Sequence, residues 1–270
     1  MVSCVGKNGA DIMTYTIEAA CGCSIGKIRA NNEDNFYFDG RCLPVENRGM
    51  KRPVFLHKQL EKIFCCGIFD GMGGEDHGEV AAFTAAQTMK TEAKRLEEYI
   101  IPEKQFLENA CDAMNQAVFD AAQNLGTDRM GSTAVLALFS PRQVYICNLG
   151  DSRAYRLRSG EFLQLSKDHT DREILKERGI TDQRPRLTQH LGLNPEEIRI
   201  EPSIAKGELR TGDWYLLCSD GLTDMLSNFE ISDLMHRSAD AEACANTLIR
   251  AALDKGGRDN ITVVVCRITE

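Results

Sequence analysis

Residues 132–166 read STAVLALFSPRQVYICNLGDSRAYRLRSGEFLQLS. Four short runs rich in aliphatic, β-branched and aromatic residues are separated by turn residues such as Ser140-Pro141 and Ser159-Gly160. The spacing predicts four successive strands of an antiparallel meander. Upstream, KIFCCGIF (62–69) is a nearly continuous apolar run suited to a buried strand, and TYTIEAA (14–20) and NFYFD (35–39) lean toward β. Two helical patterns lie between, over about 76–99 and at Leu107, Ala110, Cys111, Met114, Ala117, Val118, Ala121 and Leu125, whose three- and four-residue steps line one face. Downstream come a short helical piece near 171–179, a Pro- and charge-bearing stretch to about 200, a strand in WYLLCSDG, helices near 229–237 and 239–255, and a closing strand in ITVVVCRI. Strand groups alternating with paired helices predict an α+β fold, a β-sandwich covered by helices. Residues 1–270 contain no repeat, low-complexity segment or linker, so a single domain is expected.

The composition narrows the function. With 43% hydrophobic residues the chain can bury a full core, and its net charge of −8, without a basic run, disfavours a nucleic-acid partner and favours cations as ligands. No run of eighteen apolar residues and no signal pattern appears, so no membrane association and a cytoplasmic location are expected. The eleven cysteines sit mostly inside apolar runs, never at C-x-x-C spacing, and read as reduced core thiols; Cys21 and Cys23 leave a small opening for metal. None of the five histidines has zinc-site spacing.

Acids recur where apolar runs stop or start. Asp34 in NNEDNF, Asp70 in FDGMGG, Asp151 in NLGDSR, Asp220 in LLCSDG and Asp259 in GGRDNITVVV each stand beside Gly, Asn or Ser. Any one of them suits a turn. Five carboxylates gathered at one end of a sheet would repel one another unless cations sat among them, and an all-oxygen set suits Mg²⁺ or Mn²⁺. In GIFDGMGG (67–74), Gly71, Gly73 and Gly74 would let backbone and a bound ion come close to Asp70. A two-metal site can activate water against a phosphoryl group without a protein nucleophile. No G-x-S-x-G elbow and no P-loop is present. Arg29, five residues before Asp34, can bring a planar guanidinium suited to two phosphate oxygens.

The ordered motifs RANNED, FDGMGGEDHGEVAA, GSTAVLALF, NLGDSRAYRLRSG, LSKDHT, LTQHLG, LLCSDGLTDML and GGRDNITVVV, spanning about residues 14–268, resemble those of the metal-dependent serine/threonine protein phosphatases of type 2C, the PPM family, in its bacterial branch. The resemblance implies a central antiparallel β-sandwich flanked by pairs of helices on both faces, four layers in the order α-β-β-α. It implies hydrolysis of phosphoserine and phosphothreonine by attack of a metal-bound water or hydroxide, with two core Mn²⁺ or Mg²⁺ ions and a weaker third. Carried onto this sequence, Asp70 bridges the two ions, the Gly71 carbonyl binds the second, and Asp220 and Asp259 complete the first. Asp34 or Glu33 serves the second ion, directly or through water. Asp151 holds the third ion with Asp220, and Arg29 binds phosphate. The implied partners are phosphoprotein substrates of a Ser/Thr kinase, acted on by a monomer. Two other readings stay open: a catalytically silent binding or sensing relative, and a hydrolase of a non-protein phosphoester.

Two features depart from the family pattern. Met72 stands where many eukaryotic members have a histidine proposed as general acid, as is common in bacterial relatives. Residues 41–61 look longer than the usual connection and read as a surface loop or, alternatively, a docking element. Asp168 and His169 match a family motif beside a flap over about 171–200; the first expectation for His169 is structural hydrogen bonding. Arg184, Pro185 and Arg186 in that flap read as phosphopeptide contacts or as solvated loop charges.

Overall fold

The computed structural model describes residues 15–72, 77–98 and 101–270. In chain order the strands are β1 (Thr16–Ser24), β2 (Asp34–Phe38), β3 (Val54–Gln59), β4 (Phe64–Met72), β5 (Gly131–Ser132), β6 (Ala134–Phe139), β7 (Gln143–Leu149), β8 (Arg153–Arg158), β9 (Glu161–Gln164), β10 (Ser203–Glu208), β11 (Trp214–Cys218) and β12 (Ile261–Thr269). The helices are α1 (Gly78–Glu98), α2 (Glu103–Leu125), α3 (Arg172–Glu177), α4 (Asp220–Thr223), α5 (Asn228–Arg237) and α6 (Ala241–Asp254).

The strands form two antiparallel sheets. One runs β3-β1-β12-β11-β8-β9, the other β10-β7-β6-β4-β2, with β5 added at the end of β4. Between them Phe38, Phe64, Ile68, Phe139, Tyr215 and Val264 form the inner core. Helices α1 and α2 cover the outer face of the second sheet, where Ala81, Ala82, Ala85 and Ala86 are fully buried and their small side chains let α1 lie close to it. Helices α4 to α6 cover the first sheet through Leu222, Ile231, Met235 and Leu248. The result is α+β in four layers, α-β-β-α. A strand buried on both faces needs no polar alternation, which is why VVVC (263–266) in β12 is a continuous apolar run.

The expected meander is corrected. Strands β6 and β7 pair with each other, as do β8 and β9, but β7 belongs to one sheet and β8 to the other. The chain crosses between sheets at Gly150-Asp151-Ser152. Gly150 has φ +99, a backbone state that L side chains avoid, and an added Cβ would meet the Thr133 side chain at 2.7 Å.

The 41–61 insert is more than a surface loop. Its residues 54–59 form β3, an edge strand paired with β1 from Thr16↔Gln59 to Cys21↔Val54. Strand β10 was not anticipated, because SIAKGE carries a lysine and a glycine through an edge position. On α2, Leu125 was expected on the packed face but is 48% exposed, while Asn115 is buried and binds the backbone of Gly192 and Leu193. The ten described cysteines are all free, nine of them buried. Cys23 Sγ accepts hydrogen bonds from Asn32 and Thr262, so it sits in a polar core contact. No helix among the described residues is long and apolar enough to cross a membrane.

Candidate active site

At one end of the sandwich the strand ends of both sheets surround a cleft of about 480 Å³. Arg29, Glu33, Asp70, Gly71, Asp151, Asp220 and Asp259 all line it, together with Met72, Thr133, Asn260 and residues 184–187. Asp34 does not line the cleft. It lies beneath, opposite Asp70 in the β2–β4 register, 2% exposed, its Oδ2 accepting from Ser219 at 2.7 Å and Thr262 at 2.6 Å. The structure thus brings seven of the eight anticipated residues to one surface and places the eighth under it.

The acids arrive from different directions. Asp70 is near the end of β4 and Asp34 begins β2 in the second sheet; Asp220 follows β11 and Asp259 precedes β12 in the first; Asp151 sits on the crossing between them. Asp70 is fixed through its backbone: its N–H donates to Thr133 Oγ1 at 3.1 Å and its carbonyl accepts from Thr133 N–H at 2.8 Å. Thr133 Oγ1 also contacts Ser152 Oγ at 2.7 Å, tying Asp70 to the crossing that carries Asp151. Gly71 has no room for a side chain, because a Cβ there would collide with the Gly78 carbonyl and come within 2.7 Å of the Glu33 carbonyl. Gly73 and Gly74 lie outside the described residues.

Asn260 organises the neighbouring loop. Its Oδ1 accepts from Glu33 N–H at 2.8 Å and its Nδ2 donates to the carbonyls of Ile25 and Asn31. Thr133 and Asn260 escaped the sequence reading as positioning residues, although both stand within the quoted motifs GSTAVLALF and GGRDNITVVV. His169 is structural as expected: its Nδ1 accepts from Gly150 N–H at 3.2 Å and its own N–H donates to the Gly150 carbonyl. Burial holds the ring's pKa below the usual value, which keeps Nδ1 an acceptor. Asp168 is engaged by the Arg153 fork at 3.0 and 2.6 Å.

Electrostatically the cleft is under-compensated. Burial, then the charges of Asp34, Asp220, Asp151 and Asp259, push the Asp70 carboxyl well above its ordinary range. Burial also raises Asp34 and Asp220, each to about 7, and raises Asp151 and Glu33. Two arginines partly offset this. Arg29 Nη2 lies 2.6 Å from Asp259 Oδ2, and Arg184, from the flap, lies 2.9 Å from Asp220 Oδ2. Among the described residues, no three His, Cys, Asp or Glu side chains stand placed to hold a metal ion. The donor set itself is all oxygen, carries several formal negative charges and includes no His or Cys, which suits hard divalent cations.

The family model described as protein phosphatase 2C matches residues 54–255. The chain belongs to this family. Among relatives of this phosphatase 2C chain is the serine/threonine protein phosphatase PstP of Mycobacterium tuberculosis, 32% identical over 267 residues, covering 96% of this chain and 46% of PstP. The chain therefore spans about half the length of that relative. The serine/threonine phosphatase stp of Listeria welshimeri is 32% identical over 251 residues, covering 89% of this chain and 91% of stp. Among solved structures, the catalytic domain of PstP in complex with two manganese ions superposes with a TM-score of 0.74 at 29% identity, covering 95% of this chain and all of that one. The four-layer sandwich is thus the phosphatase 2C fold.

Proposed function

We propose that this chain is a Mn²⁺- or Mg²⁺-dependent protein phosphatase acting on phosphoserine and phosphothreonine. The observation that carries this reading is the seam cleft, where half-buried carboxylates from both sheets share one space with too few cations to balance them. The all-oxygen donor chemistry suits two hard ions, around which the carboxylates would draw together. Asp70 would bridge them, Asp220 and Asp259 would complete the first, and the Gly71 carbonyl with Glu33 or Asp34 would serve the second. Asp151 and Asp220 would hold a weaker third. Bound there, the ions would supply Lewis-acid polarisation of the phosphoryl group and a more acidic water.

The chain's own residues supply the rest. Arg29, at the cleft mouth, presents a guanidinium to the phosphate oxygens once it releases Asp259. Thr133 and Asn260 hold Asp70 and Glu33 in place through backbone hydrogen bonds, so the carboxylates are positioned before substrate arrives. Met72 lines the cleft two residues after Asp70 and has no proton to give, so the leaving hydroxyl oxygen is protonated by another group.

Residues 1–270 are read as one domain. Seven of the eight residues anticipated for the site converge on one cleft within this chain, so the proposed site needs no residue from a partner and is read as complete in a monomer. Free, buried thiols support a reducing compartment such as the cytoplasm, where a Ser/Thr kinase would generate the substrates. The test is phosphate release from a phosphothreonine peptide with Mn²⁺, Mg²⁺ or chelator. Activity should require metal and vanish in Asp70→Asn. Full turnover in chelator after verified metal removal would refute the reading, and turnover of small phosphoesters with refusal of every phosphopeptide would favour a non-protein substrate.

A further inference from the structure

The 41–61 insert has a charge character unlike the rest of the chain. Residues 48–58, RGMKRPVFLHK, hold four Lys or Arg, one His and no acid, in a protein of net charge −8. The structure places the first part of this segment beside the cleft. Ser24 bridges Gly49, Met50 N–H donates to the Cys23 carbonyl at 2.7 Å, and Asn32 Nδ2 donates to Asn47 Oδ1 at 2.6 Å. Asn32 directly precedes Glu33, so the insert is clamped to the loop that delivers the cleft acids. A third loop joins them: Lys27 N–H donates to the Gly257 carbonyl at 2.8 Å, two residues before Asp259.

These three loops carry Lys27, Arg48, Lys51, Arg52 and Arg258, all exposed and none with an ion-pair partner among the described residues. The acids nearest along these loops are Asp259, which follows Arg258 but is engaged by Arg29, the cleft acid Glu33, and the exposed Glu46 and Asp254. Ile28, 70% exposed, stands beside Lys27. From this, and resting on the phosphatase reading above, we propose that the rim formed by the 24–29, 47–53 and 256–258 loops is a substrate-docking surface for protein segments rich in Asp and Glu flanking the phosphorylated residue. Arg29 stands between this rim and the cleft, so a peptide whose phosphate reaches Arg29 lays its flank across the rim. Unpaired surface cations cost nothing to desolvate from partners of their own, and they raise the encounter rate and select acidic chains.

The experiment uses phosphothreonine peptides identical except for acidic or neutral flanks, wild-type protein, and the variant Arg48→Gln/Lys51→Gln/Arg52→Gln, with matched melting temperatures as a folding control. A single Lys51→Glu variant is run alongside. In wild type, KM for the acidic peptide should be about tenfold below that for the neutral one at low salt, shrinking toward equality near 0.5 M salt. In the triple variant the two peptides should converge while p-nitrophenyl phosphate turnover stays unchanged. Anisotropy of the same peptides, labelled and carrying a non-hydrolysable phosphonate, reads docking even if no turnover occurs. Failure of the phosphatase reading therefore leaves this inference separately decided. Equal handling of both peptides by wild type overturns it, as does a preference that survives in the triple variant. So does rim-dependent binding of anionic vesicles or duplex DNA without any acidic-peptide preference.

Discussion

Strand β11 has an aspartate beyond each of its ends, and the fold treats the two in opposite ways. Asp213, just before it, is 1% exposed and accepts from both arms of the Arg158 fork at 2.6 Å, from Arg210 N–H at 2.9 Å and from the Tyr215 hydroxyl at 3.1 Å. Asp220, just past the other end, has one exposed arginine for a partner and sits half-buried among like charges, Asp151 foremost. The same strand thus joins an electrostatically finished end to an unfinished one. Burying a carboxylate with its bonds satisfied is tolerable; burying several together without cations opposes folding. A fold keeps such a defect where a ligand completes it.

The largest effect expected is at the finished end. Asp213→Ala strands the Arg158 guanidinium, only 16% exposed, and should cost about 3–5 kcal/mol in chemical denaturation. Asp220→Asn should do the reverse in metal-free protein, adding about 1 kcal/mol or more at pH 8 while abolishing metal-dependent turnover. If both substitutions destabilise alike, the contrast between the two ends is wrong.

Next in size is the pH dependence of metal-free stability. Asp34 and Asp220 titrate at about 7 in the folded protein, against an ordinary 3.8. The folded state then holds more protons than the unfolded one between these values. The contribution of these groups is complete below about pH 4 and is lost as pH rises through 7. The metal-free melting temperature of wild type relative to Asp220→Asn should fall from pH 5 to pH 8, and saturating Mn²⁺ should flatten that fall. A difference that stays constant with pH would show Asp220 to be ordinary.

The smallest effect concerns Arg184, which occupies Asp220 from the flap. Exposed pairs of this kind contribute about 0.2–1 kcal/mol, so Arg184→Ala should tighten Mn²⁺ binding by at most about fivefold in calorimetry. Weaker binding in that variant would make Arg184 a support of the site and not a competitor for it.

The helix-covered sandwich was legible because helical and strand periods differ, its four-layer order was implied by the family resemblance, and the site was legible because five acids beside turn residues share one local pattern. The sheet assignment was not. A strand covered on both faces is apolar throughout, as in β6, where all six residues are buried, so QVYICNLG and SRAYRLRSG look like hairpin partners whether they pair or part. The decisive signal was a single glycine at 150, and its positive φ is invisible in a string that also needs glycines at ordinary turns. The insert escaped for the converse reason: an edge strand facing solvent, with HKQ exposed, has the composition of a loop. The placement of Asp34 under the cleft depends on Ser219 and Thr262, 185 and 228 residues away in sequence, a relation that no local pattern encodes.

The acids are divided between two sheets, and the inner core sets the gap that separates those sheets. Phe64 and Phe139 from one sheet meet Tyr215 from the other, with ring centroids 6.1 Å apart for the first pair and 5.3 Å for Phe139 and Tyr215. This tilted and edge-to-face aromatic cluster acts as a spacer gauge. Trimming Phe139 should leave a cavity between the sheets, and whatever part of it the sheets close should change the span between Asp70 and Asp220 without touching either residue. The calibre of the cleft is machined in the hydrophobic interior, remote from any charge it serves.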